Sequence, residues 1–156
     1  MIQRVQSIYL LVVTILMSFL LIMPYASMEL PGDQQLLFKS AGIQLISTAN
    51  VVSVYNSTIP LISLVVIAGI YSFCIIFFYN YRILQIRLIL VNLVLIVFLI
   101  IIMLYHCFDA KSDFEGEKLL FRIGMSFPVI CLVFSFMAIR GIRHDEMLVN
   151  SYNRIR

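Results

Sequence analysis

At 156 residues with a formal net charge of +3, the chain is the size of a single domain. Apolar residues make up 62% and charged residues 12%, against about 45–50% and about 25% in a typical globular chain, and mean hydropathy is +1.04. So few polar groups cannot cover a protein this small, which excludes water as its only solvent and requires lipid.

A transmembrane helix needs about 20 apolar residues, within a range of about 17–25. Windows free of charge lie at 5–28, 40–81, 88–108 and 123–139. The first contains IYLLVVTILMSFLLIM and is closed by Pro24, which cannot continue a helical ladder; it predicts a helix over 5–23. Its basic start and apolar core also suit a signal peptide, but Pro24-Tyr25-Ala26 is a poor cleavage site. The loop 24–57 follows, with a turn signal at Pro31-Gly32-Asp33. QQLLFKS and IQLIS, separated by Ala41-Gly42, read as a β-hairpin, and VVSVY as a third strand; an interfacial helix over 43–55 is the alternative. Two or three strands are marginal alone in water, so the hairpin should pack on the helix ends or on a partner.

Gln44, Ser47, Thr48, Asn50, Ser53 and Asn56 keep 40–57 outside the bilayer, which places the second helix over 58–80. The tight connection NYRILQIR makes it an antiparallel pair with a third helix over 87–106. A short acidic loop, HCFDAKSDFEGEKLLFR, leads to a fourth helix over 122–140, bracketed by Arg122 and Arg140, whose stems reach the interface. Pro128 is expected to kink it. In the tail 141–156, Leu148, Tyr152 and Ile155 share one helical face, which suits an amphipathic helix lying on the membrane or docking on a cytosolic partner.

Four helices place residues 1–4, 81–87 and 140–156 on one side, with seven basic residues: Arg4, Arg82, Arg87, Arg140, Arg143, Arg154 and Arg156. The other side has four, Lys39, Lys111, Lys118 and Arg122, among six acidic residues. By the positive-inside rule the arginine-rich side is cytoplasmic and holds both termini. The expected fold is thus an all-α membrane protein of four transmembrane helices, both termini cytoplasmic, with a small β-hairpin in the first periplasmic loop.

No Asp, Glu, Lys or Arg falls in the middle of a predicted span, which argues against an ion-coupled transporter. Asn92 is the most polar residue within one; an interhelical hydrogen bond explains it better than a cavity. Ser63, Ser72, Ser126, Ser135, Gly69 and Gly124 read as packing residues. His106, Cys107 and Asp109 are too close in sequence to converge on a metal, and the three cysteines show no zinc spacing. With no nucleophile–base set and no phosphate loop, the expectation is a protein that is not an enzyme, with no cofactor, no metal and no nucleic acid.

MIQRVQSIYLL, YRILQIRLILVN and IRGIRHDEMLVNSYNRIR together resemble a family of small Bacteroidota membrane proteins known as domain of unknown function 4293. The resemblance implies a four-helix protein of a bacterial inner membrane and brings no activity or site residues. Its recognisable segments all fall on the cytoplasmic side. Gln3, Arg4, Arg82, Gln85, Arg87, Arg143, Asp145 and Glu146 are therefore the candidate partner-binding face, with Arg87 or Arg143 expected to pair with Asp145 or Glu146. The expected role is an accessory or scaffolding subunit of a larger membrane complex, in contact with the lipid bilayer and with other membrane-protein subunits, homo-oligomers being open. The alternative is a binding protein for a lipid, quinone or other apolar small molecule held between the helices.

Overall fold

The computed structural model describes residues 3–30, 34–46, 52–56, 58–79, 81–113 and 118–154; the side chains of 3–6, 52–56, 82, 113, 145, 146 and 148–154 lie outside that description. Four helices run up and down: α1 (Gln3–Ile22), α2 (Ile59–Ile76), α3 (Arg82–Asp113) and α4 (Ser126–Arg154). Each packs on its neighbours in sequence, and α4 closes the ring against α1. Buried positions on α1 are Leu10, Val13, Met17 and Leu20; on α2 they are Leu61, Val65, Ala68, Ser72 and Ile75. Those on α3 and α4 repeat the same spacing of three and four, the seam of a four-helix bundle.

The outward faces are apolar too, with Ile15, Phe19, Val94, Phe98, Ile101, Val133 and Phe136 all exposed. A bundle apolar inside and out needs an apolar solvent. Ile59–Ile76, Ile83–Ser112 and Ile123–His144 are long and apolar enough to cross a membrane; Ser7–Ile22 of α1 is apolar over a shorter length.

One end of the bundle carries a five-stranded antiparallel sheet in the order β4-β3-β2-β1-β5. Its strands are β1 (Ala26–Leu30), β2 (Gln34–Lys39), β3 (Gly42–Ile46), β4 (Val52–Asn56) and β5 (Leu119–Phe121). The predicted hairpin is β2–β3, its two-residue turn at Ser40-Ala41, one position earlier than expected, and VVSVY holds β4. Gly42 supplies the φ of 153° that ends the turn, a value L-residues rarely adopt. The all-α expectation is corrected by the size of this sheet. β1 directly follows the first helix, and β5 comes from the acidic loop; a three-residue strand paired across most of the chain leaves no local pattern to read.

Alternation buries one sheet face. Ala26, Phe38 and Ile43 stand in one cross-strand row, and Met28, Leu36 and Leu45 in the next. They share a core with Leu20 of α1, Leu61 of α2 and Met103, Cys107 and Ala110 of α3. At 32 residues α3 is about 48 Å long, against about 27 Å for α2 of 18 residues, so its outer third rises past the bundle to back the sheet.

Two hydroxyls fasten the hairpin turn to the helix ends. Ser40 Oγ donates to Leu20 O in the last turn of α1 at 2.9 Å, and Thr58 Oγ1, just before α2, donates to Ser40 O at 3.0 Å. The first bond satisfies a carbonyl that the end of α1 leaves without a helical partner.

Helix boundaries differ from the expected spans, including at α3, which runs from Arg82 to Asp113 rather than over 87–106. α2 stops at Ile76 rather than residue 80, in a turn over Phe77–Tyr79. α4 runs without interruption from Ser126 to Arg154, so the tail up to Arg154 continues the same helix. Pro128 is the third residue of α4, within the first turn, where an N–H has no helical partner to lose. The expected kink therefore has no cause there.

Candidate functional site

The topology brings the recognisable segments to one end of the bundle. α1 and α3 start there, α2 ends there and α4 passes through it, around a core of Leu10, Ile75, Ile89, Ala138, Ile139 and Ile142. Of the candidate face, Arg87 and Arg143 are exposed, as is Arg140. Gln85 is not part of the surface: it is 2% exposed, with Nε2 3.5 Å from Ile75 O, a long bond across the α2–α3 corner. A polar side chain in the first turn of a helix reads as solvated in sequence, but here the turn packs inward. The side chains of Gln3, Arg4, Arg82, Asp145 and Glu146 lie outside the described residues, and with them the expected pairing to Arg87 or Arg143.

Polar groups within the bundle follow the packing reading. Asn92 on α3 is fully buried and donates from Nδ2 to Ser72 Oγ on α2 at 2.7 Å, while Ser72 donates onward to Ala68 O at 2.9 Å. This is the expected interhelical bond. Asn92 Oδ1 and Ser135 Oγ are buried without a hydrogen bond among the described residues. Ser72 and Ser135 pack in the core, whereas Ser63 and Ser126 face outward. Gly69 lies where an added Cβ would meet Met17 Cβ at 3.5 Å, an ordinary contact between α1 and α2. Gly124 is far tighter: a Cβ there would stand 2.6 Å from Pro24 O.

Around the sheet, Tyr25 is completely buried beside Phe38, ring centroids 6.1 Å apart, and its hydroxyl makes no hydrogen bond among the described residues. Burial, and secondly the neighbouring Cys107, push its pKa above the ordinary tyrosine value. Cys107 is buried, His106 half-buried and Asp109 exposed, so these three point apart. Among the described residues no three His, Cys, Asp or Glu side chains gather as a metal site.

Three structural residues escaped the sequence reading: Ser27, Ser40 and Thr58. Thr58 ahead of Ile59-Pro60 is a helix-start signal, Thr before a first-turn proline. Ser27 and Ser40 gave none, because their partners are distant in sequence: Arg122 Nε donates to Ser27 Oγ at 3.0 Å, and Ser40 reaches α1.

The family model described as Domain of unknown function (DUF4293) matches residues 2–155, nearly the whole chain. No curated protein matches it.

Proposed function

We propose that this chain, which belongs to the DUF4293 family, spans a bacterial inner membrane four times and serves as a non-enzymatic accessory or scaffolding subunit of a larger membrane assembly. The fourth span is α1: its apolar stretch Ser7–Ile22 measures about 24 Å, and the whole helix about 30 Å, the thickness of the hydrocarbon core. Four spans put both termini on the arginine-rich, cytoplasmic side.

One observation carries the role. The last described buried side chain of α4 is Ile142, yet the helix continues to Arg154, 12 residues farther (154 − 142), or about 18 Å. Arg143, His144 and Met147 on that arm are exposed, Met147 at 64%. Exposed helix that extends beyond the bundle core leaves a surface on which another subunit can pack. The arm, together with exposed Arg140 just before it on α4, is the partner-binding element of this reading.

The test is a tagged pull-down from native membranes in mild detergent, comparing the full chain with one truncated after Ile142. A stoichiometric membrane complex with the first, lost with the second, is the expected result; elution of both alone sinks the reading. A reporter fused after Arg156 should be active only in the cytoplasm. The rival reading, an apolar small molecule held between helices, is not favoured by the groove between α1 and α2. The groove between α1 and α2 beside Gly69 has a volume of about 220 Å³, below the roughly 300–1,000 Å³ of ordinary ligand sites.

A further inference from the structure

We propose that the sheet end of α4 carries a phospholipid site built on Arg122, with the phosphate on its guanidinium and one acyl chain on either side. The inference rests on the membrane-spanning part of the preceding reading, not on the accessory role.

Arg122 sits at the entry to a stretch long and apolar enough to span, which begins at Ile123. Its backbone is fixed: its N–H donates to Tyr25 O at 3.0 Å, and its carbonyl accepts from Met125 N at 3.0 Å. The close approach of Gly124 to Pro24 holds the next residue but one. The side chain is aimed by its bond to Ser27, itself buried. That bond uses one of the five N–H donors of a guanidinium. The other four meet no acceptor among the described residues.

Two open clefts flank this cation and share Phe121, Arg122 and Ile123 as their common wall. One, of about 540 Å³, is lined further by Met23, Pro24 and Leu120. The other, of about 560 Å³, runs along α4 past Met125, Val129 and Ile130. Their walls are mostly apolar, Ser27, Arg122 and Ser126 aside, and Ile123 is 76% exposed. A ligand suited to this place brings an anion for the remaining guanidinium donors and apolar chains for both clefts. Free phosphate supplies only the anion, and a neutral lipid only the chains. A phosphodiester lipid supplies both, and guanidinium–phosphate bonds are charge-assisted and geometrically matched.

The experiment uses the full chain, purified in a mild detergent and depleted of lipid. Thermal unfolding is followed with dioleoylphosphatidylglycerol, with dioleoylglycerol of the same chains, and with inorganic phosphate. Only the phospholipid should raise the melting temperature of the wild type, and native mass spectrometry should show one lipid retained per chain. Arg122→Gln should weaken that retention roughly tenfold or more, with Arg122→Lys intermediate. Equal shifts from diacylglycerol or from phosphate overturn the proposal without any variant; so does undiminished retention by a folded Arg122→Gln protein. Release of the chain from membranes by alkaline wash would instead overturn the membrane reading beneath it.

Discussion

Asn92 and Ser72 are joined by one hydrogen bond inside an apolar bundle, and the strength of such bonds in membranes is modest, about 0.6–1 kcal/mol. A double-mutant cycle of Asn92→Ala and Ser72→Ala in detergent should give a coupling of that size; a value near zero would deny the bond. The two glycines make a sharper contrast. Gly124→Ala drives a methyl against the Pro24 carbonyl, and overpacking against backbone should cost about 1–3 kcal/mol. Gly69→Ala meets only Met17 at ordinary contact and gains helix propensity, so it should be neutral or stabilising by up to about 1 kcal/mol. Comparing the melting temperatures of both variants checks the pair. Tyr25 is the third case. Its folded pKa is raised, so its contribution is fully present below the unfolded value of about 10 and is lost as pH rises beyond it, at up to about 1.4 kcal/mol per pH unit. Tyr25→Phe, which also removes a hydroxyl without a partner, should flatten the fall in stability between pH 9 and 11 relative to wild type.

Among elements, the β2–β3 turn is held by bonds that no side-chain pattern announces. Losing Ser40 to Ala should free the Leu20 carbonyl and loosen the turn, at about 0.5–1.5 kcal/mol, seen as faster hydrogen exchange over Gly42–Ile46 with little change in the helices. Uniform exchange rates across the variant would remove the latch from the account. The helices were legible because span length and charge placement are local and strong. Alternating QQLLFKS and IQLIS told of β2 and β3 for the same reason. β1 and β5 were not, since ASMEL and LLF become strands only through each other and through β2. Gln85 was misjudged as surface because burial at a helix corner depends on the packing angle, which spacing does not encode. Asn92 was read correctly because a polar residue amid a long apolar run has few ways to be satisfied.

For the molecule as a whole, the three cysteines offer a probe of its solvent. Cys107 and Cys131 are buried, whereas Cys74 is exposed on the outward side of α2, within Ile59–Ile76. In intact membranes a water-soluble maleimide should therefore leave all three unlabelled, and unfolding in SDS should open all three to it. Labelling of Cys74 from water would place the last turn of α2 outside the hydrocarbon core. The pairing of β5 with β1 also has a consequence in time. β1 to β4 leave the ribosome right after α1, but the strand that covers the outer edge of β1 is encoded about 90 residues downstream of it. At roughly 5–20 residues per second, that edge waits several seconds or more, while α2 and α3 are threaded, with its amides open to any other chain. The sheet end is thus a late-closing clasp, completed only when β5 emerges, immediately ahead of α4.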